Sequence, residues 1–247
     1  DNLGNHVLTQ NLASDNFYLS KTGLDQGLRI LDNGAVSIRT RNIINNTITD
    51  SESFRFDSLG NILAIGRVLD FGSSSLASKI PIQGAGTRFM WFASRGSLRF
   101  GRVSVGSPTD WDDVNMDDFT FAGGNQVKAS GYGAFAYGDQ VNVSSTVGVG
   151  FGSAINVNGT AGFSAGASNT VNGFCGTAIG YTNRANGQGS VALGYRCSAA
   201  NDYSVALGYR AVNNGYTGTM VMGDESTTDS VRNTADNQFA ARYAGGY

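Results

Sequence analysis

SVALGYRCSAAND at residues 190–202 is followed at once by YSVALGYRAVNNG at 203–215, and this pair decides how the rest of the chain is read. The glycine inside it belongs to a longer series. Gly124, Gly138, Gly152, Gly166, Gly180, Gly194 and Gly208 stand fourteen residues apart, and Gly223 follows one residue late. A short fixed period is the mark of a solenoid, in which each repeat is one structural unit that buries its apolar side only against its neighbours.

Positions counted from each glycine divide the cycle. Three before it stand Phe121, Phe135, Val149, Phe163, Thr177, Val191 and Val205; one before it stand Tyr137, Phe151, Ala165, Ile179, Leu193 and Leu207. Three after it come Val127, Val141, Ile155, Asn169, Asn183, Cys197 and Ala211, and five after it Ala129, Val143, Val157, Val171, Ala185 and Ala199. A spacing of two is the strand period. Each cycle therefore reads as two short strands folded at the glycine, with these four rows turned inward. The predicted fold is all-β, a parallel β-roll of 14-residue coils over residues 118–224.

The alternate positions of the first strand are small: Ala122, Ala136, Gly150, Ser164, Ala178, Ala192 and Ala206 two before the glycine, and Thr120, Ala134, Gly148, Gly162, Gly176, Ser190 and Ser204 four before it. Read as outward, they pave a flat face suited to close contact between copies. Ala136, Gly150, Ser164, Ala178, Ala192 and Ala206 are accordingly expected at a trimer interface. Gln140, Asn142, Asn156, Ser168, Thr182, Arg184, Arg196 and Arg210 form a polar outer row suited to water. Asn169 and Asn183 share one inward register and suggest an amide ladder whose side chains bond one another.

Tyr181, Tyr195 and Tyr209 recur just after the glycine, with Arg196 and Arg210 beside two of them. Two readings stand side by side. The tyrosines are a platform for sugar faces, which makes these five residues the candidate receptor-binding set, or they are rings stacked across strands at a turn.

The cycle in 189–215 resembles the YadA-like head repeat of trimeric autotransporter adhesins, with its Ser-(Val/Ile)-Ala-(Leu/Ile)-Gly motif and spaced alanines. The resemblance implies a left-handed parallel β-roll packed as three copies. ADNQFAARYAGGY at the C-terminus resembles the strand-forming piece that precedes an intramolecular chaperone in endosialidase-type tail fibres. That implies a segment, 225–247, ending where such a chaperone begins, with cleavage between them.

Residues 1–117 are polar and turn-rich. GLRILDNGAVSIRT places Leu28, Ile30 and Leu31 before an Asn33-Gly34 turn and Val36 and Ile38 after it, a strong hairpin signal. Phe54 and Phe56 face Ile62, Ala64 and Ile65 across Gly60-Asn61, and Arg95-Gly96 turns a third hairpin. None carries enough apolar surface to stand alone, so the expected partner is another copy of the chain, giving an entwined N-terminal trimeric region. Asp110, Asp112, Asp113, Asp117 and Asp118 surround Trp111; a solvated connecting loop and a calcium site are the alternatives, with the EF-hand spacing absent and Trp111 read as an anchor.

Composition closes other classes. Charged residues are 15% of the chain, the net charge is -2, and 35 glycines accompany only 2 prolines. No basic face suits nucleic acid and no apolar run suits membrane insertion. Cys175 and Cys197 read as small fillers, not a disulfide framework. His6 is the only histidine, and Asp139 and Asp202 lie coils apart, so neither a histidine triad nor a carboxylate pair is in view. No enzyme, metal or cofactor is expected. The function expected is an extracellular attachment fibre: an adhesin-like or tail-fibre-like homotrimer, carried on a phage, a phage-like particle or a bacterial surface. Its partners are a larger particle or surface anchor and a cell-surface glycan or protein receptor. A structural shaft without a receptor site is the alternative, and a polysaccharide-degrading tailspike a more distant one.

Overall fold

The computed structural model describes residues 17–20, 27–30, 33–44, 47–64 and 82–246. His6, Leu31 and Ile65 lie outside them. Two compact units are formed, Asp1–Arg67 and Val68–Tyr247.

The first unit is an antiparallel sheet of consecutive hairpins. Gly27–Ile30 pairs with Val36–Ile44 in the register Leu28↔Ile38 and Ile30↔Val36, around the expected Asn33-Gly34 turn. Asn33 Oδ1 accepts from the Ala35 N–H at 3.0 Å, and Gly34 has φ +80°. Thr47–Phe56 pairs with Ile62–Ala64 around Gly60-Asn61, where the Asp57 carboxylate accepts from the N–H groups of Leu59 and Asn61.

The second unit is the roll. Its first sheet stacks the strands Phe121–Asn125, Phe135–Asp139, Val149–Ser153, Phe163–Ala167, Thr177–Tyr181, Val191–Tyr195 and Val205–Tyr209 in parallel. Successive beat glycines sit side by side in the ladder, as Gly138↔Gly152 and Gly180↔Gly194 do. The second sheet consists of two-residue strands such as Asn142–Val143 and Arg184–Ala185. The sheets run past the repeat at both ends. The antiparallel hairpin of Gly86–Phe92 and Ser97–Val103 joins the first sheet through Leu98↔Phe121, and Phe239–Arg242 extends it beyond Met220–Gly223. Val231–Arg232 extends the second sheet.

The strand does not fold at the glycine. It continues one residue further, and the corner is the next position: Gln126, Gln140, Ala154, Ser168, Thr182, Arg196 and Arg210 all adopt left-handed φ between 51° and 57°. That backbone is costly for a residue with a Cβ. Here each corner N–H donates to a carbonyl one coil earlier, Arg196 to Tyr181 and Arg210 to Tyr195, which offsets part of the cost. The glycines answer a different need. Each beat glycine has φ between 98° and 137°. A Cβ on Gly138 would lie 1.9 Å from the Gly152 carbonyl oxygen, so the next coil approaches too closely for any side chain.

The second strand's inward rows are where the sequence puts them: Val127, Val141, Ile155, Val143, Val157, Val171, Ala185 and Ala199 are fully buried. The first strand is reversed. Ala122, Ala136, Ser164, Ala178, Ala192 and Ala206 have 0% exposure within a single chain, whereas Tyr137 is 48%, Phe151 38% and Ile179 39% exposed. The small residues are the core, and the large ones are outside. The reason is the width of the coil. A Cβ at Gly150 would already press on Val143 at 2.9 Å and Val141 at 3.0 Å, so branched residues on one sheet leave room only for small ones on the other.

Two large side chains close the N-terminal end of this core. Arg99 pairs with Ala122 in the ladder and is fully buried, its guanidinium donating to Thr120 Oγ1 and the Ala129 carbonyl. Burial pushes its pKa down to about 10, so it stays charged at neutral pH. Trp111, also fully buried, donates from Nε1 to the Val127 carbonyl at 2.6 Å and lies under the Arg88 guanidinium. It is the expected anchor.

Candidate receptor-binding surface

The reversal of the first strand removes one expected site. Ala136, Gly150, Ser164, Ala178, Ala192 and Ala206 line the inside of the coil and have no side-chain surface to offer a second copy. Its outer face instead carries the large apolar rows. Phe121 stacks on Phe135 at 4.2 Å, Phe135 meets Phe151 at 5.2 Å, and Phe151 meets Phe163 at 6.3 Å. Ile179, Leu193 and Leu207 continue this face beside Thr177, Val191 and Val205.

The tyrosines border it. Tyr181, Tyr195 and Tyr209 are the last residues of their strands, on the same outer side, immediately before the left-handed corner. Their rings stack face to face, Tyr181 on Tyr195 at 5.4 Å and 17°, Tyr195 on Tyr209 at 5.2 Å and 5°. Arg196 and Arg210, at the corner itself, place their guanidinium carbons 5.3 Å from the Tyr195 ring and 5.6 Å from the Tyr209 ring. Arg210 also donates to the Thr228 carbonyl. The five residues are thus gathered into one ridge. Both faces of Tyr195 are taken by its neighbours, while Tyr181 ends the stack beside Ala167; phenol edges and guanidinium groups are what the middle of the ridge offers outward.

The amide ladder is real but lies in another row. Asn169 and Asn183 are fully buried and bond backbone, not each other's side chains. Asn183 Nδ2 donates to the Ile179 and Gly194 carbonyls, and its Oδ1 accepts from the Cys197 N–H. Side chain–side chain bonds run on the exposed surface instead: Ser144 to Asn158 at 2.9 Å, Asn158 to Asn172 at 2.9 Å, Asn172 to Asn186 at 2.8 Å. The fourteen-residue spacing of Asn158, Asn172 and Asn186 was the available signal. Cys197 is a buried filler, as expected, and burial raises its pKa. Cys175 is not; it sits exposed at a left-handed corner, φ +54°.

The acids of 110–118 serve structure individually. Asp112 accepts from the Gly84 N–H, Asp113 from Gln83 Nε2, and Asp118 lies 3.9 Å from Arg95 Nε. Asp110 belongs to an open recess of about 370 Å³ with Ser107, Gln126, Lys128, Gln140 and Asn142. Burial pushes the Asp110 carboxyl up while Lys128 draws it down. Asp139 and Asp202 are engaged separately, with Asn125 Nδ2 and the Gln188 N–H.

The family description of the YadA head domain repeat matches two copies within residues 176–196, across Gly180 and Gly194. Residues 176–196 of the roll are therefore YadA-like head repeats. The matched residues include Tyr181, Arg184, Tyr195 and Arg196 and two of the reversed first-sheet strands. No curated protein matches the chain. Among the described residues no helix is long and apolar enough to cross a membrane.

Proposed function

We propose that the chain is the roll-bearing part of a homotrimeric extracellular attachment fibre, borne by a phage, a phage-like particle or a bacterial surface. The carrying observation is the outer face of the first sheet. Its large apolar residues stand in straight register along the coils, partly exposed in a single chain. A contiguous face of this kind favours a protein partner. Another copy of the chain fits best, because its own face has the same rise per coil and the same row spacing. A closed ring of copies satisfies all such faces at once. The YadA-like repeats support three copies and an adhesin's task. The Tyr181–Tyr195–Tyr209 ridge with Arg196 and Arg210 then runs along each groove between subunits, where it meets a cell-surface glycan.

Native mass measurement tests the assembly. Three copies are expected for the chain, and Leu193→Asp should release monomers whose circular dichroism is still that of a β-roll. A monomeric parent chain would end this reading. Glycan-array binding tests the task. One observation favours a plain structural shaft: the three tyrosines stack on one another, with both faces of Tyr195 taken, which is what rings do when they brace successive coils. A trimer that binds no glycan or cell would make the shaft the better description.

A further inference from the structure

We infer that the ridge recognises an acidic polysaccharide, bearing carboxylate or sulfate groups, rather than a neutral one; this rests on the attachment reading above. Neutral sugars are held mainly by laying an apolar ring face on an aromatic face. Tyr195 has both neighbours of the ladder stacked on it at 5.4 and 5.2 Å, and Arg196 lies 5.3 Å from its ring. At Tyr195 that platform is closed, Tyr181 keeps a ring partner on one side with Ala167 on the other, and the chemistry concentrated at the ridge is that of cations and hydroxyls.

The cations are concentrated where the rings are. Arg196 and Arg210 occupy the corners of two successive coils, and Arg184 stands one coil earlier on the adjoining second sheet, two residues past the corner Thr182. The equivalent corners of earlier coils hold Gln126, Gln140, Ala154, Ser168 and Thr182, and the positions equivalent to the tyrosines hold Asn125, Asp139, Ser153 and Ala167. On a chain of net charge -2 the late coils therefore present a local positive strip. Of the nearest acids in sequence, Asp202 accepts from the Gln188 N–H and Asp224 from Arg242, Ser226 and the Ala244 N–H, and Glu225 follows Asp224 one coil beyond Arg210.

Two of the arginines are also held in place. Arg196 rests against Tyr195, and Arg210 against Tyr209 and the Thr228 carbonyl. A guanidinium already fixed loses less freedom when it takes a ligand, and its planar fork suits carboxylate and sulfate oxygens. Coils about 4.8 Å apart repeat the group along the roll, so a polymer with regularly spaced anions meets several at once. The tyrosines brace the arginines and offer hydroxyl edges.

The test uses the whole chain with four probes: polygalacturonate, dextran sulfate, uncharged dextran and single-stranded poly(dT). Binding of polygalacturonate or dextran sulfate without dextran is expected, and which of the two binds more tightly separates carboxylate from sulfate recognition. Affinity should fall at least about tenfold between about 0.05 M and 0.5 M salt, as screening of exposed charges requires. Arg184→Gln with Arg196→Gln should weaken binding about tenfold or more, through loss of charge-assisted bonds. Arg210→Lys, which keeps the charge without the planar fork, should lose part of the affinity, and unchanged melting of each variant controls for folding. Equal binding of dextran, poly(dT) binding as tight as either polysaccharide, or indifference to the double substitution overturns the assignment. Attachment to encapsulated bacteria that survives loss of polyanion binding also overturns it, yet leaves the fibre standing. Absence of any cell attachment by a parent chain that still binds polygalacturonate strikes the fibre reading and supports the site.

Discussion

The two sheets of the roll use the same period and the same ladder, yet their outer faces are opposites. The second sheet follows the ordinary rule, with Val141, Val143, Ile155 and Val157 inside and Asn142, Asn156 and Arg184 outside. The first sheet inverts it, with Ala and Ser inside and Phe, Ile, Leu and Tyr outside. The lesson is that backbone pairing and a narrow coil build this fold, so a large apolar side chain is not needed inside the first sheet and becomes free for a partner.

That comparison can be broken most severely at the beat itself. Gly138→Ala pushes a Cβ into the Gly152 carbonyl at 1.9 Å, a clash with backbone that cannot rotate away. Destabilisation of about 3 kcal/mol or more is expected in chemical unfolding. Next come the inward rows. Ala192→Leu, inside the first sheet, should cost about 1–3 kcal/mol by overpacking, whereas Leu193→Ala, one residue away but outside, should lower the single chain's stability far less. Equal losses from the two would remove the inversion. Asn183→Ala leaves the Ile179 and Gly194 carbonyls and the Cys197 N–H without their side-chain partners, and about 1–3 kcal/mol should go with them. Asn172→Ala in the exposed ladder should cost under about 1 kcal/mol, because water replaces its partners.

The smallest expected effect is local and depends on pH. The Ala244 N–H, Ser226 and Arg242 hold the Asp224 carboxyl well below its ordinary 3.8. A depressed folded value contributes stability above the unfolded one and loses it as pH falls through the range beneath 3.8. Hydrogen exchange of the amides in Phe239–Arg242 should therefore quicken on acidification through that range while Val149–Ser153 stays protected. Asp224→Asn should abolish most of the difference.

Much of this was legible from residues alone. The period, the three hairpin turns, the inward rows of the second strand and the gathering of Tyr181, Tyr195, Tyr209, Arg196 and Arg210 all follow from spacing. Facing in the first strand was not legible, because strand alternation separates two faces without saying which is inside, and Phe135 or Leu193 ordinarily marks the core. The corner lies two residues past the expected glycine for a related reason. Glycine is the usual turn residue, but in this chain it answers crowding from the next coil, while Gln140, Thr182 and Arg196 accept the left-handed bend. Asn169 and Asn183 drew attention as a pair, whereas Asn158, Asn172 and Asn186 were the row whose amides meet.

Register is kept at fourteen residues from Gly124 to Gly208, and every coil in that span repeats the same corner bonds and the same ladder partners. Removing 163–176, or copying it, therefore exchanges one complete turn for another and leaves each remaining neighbour with a partner of the same kind. The loosened steps at the C-terminal end, where Val205 aligns with Met220 and Met220 with Phe239, do not permit this exchange. Reach is thus separable from architecture in this molecule: a lineage can lengthen or shorten the roll by whole turns through simple duplication or excision, without inventing a new fold.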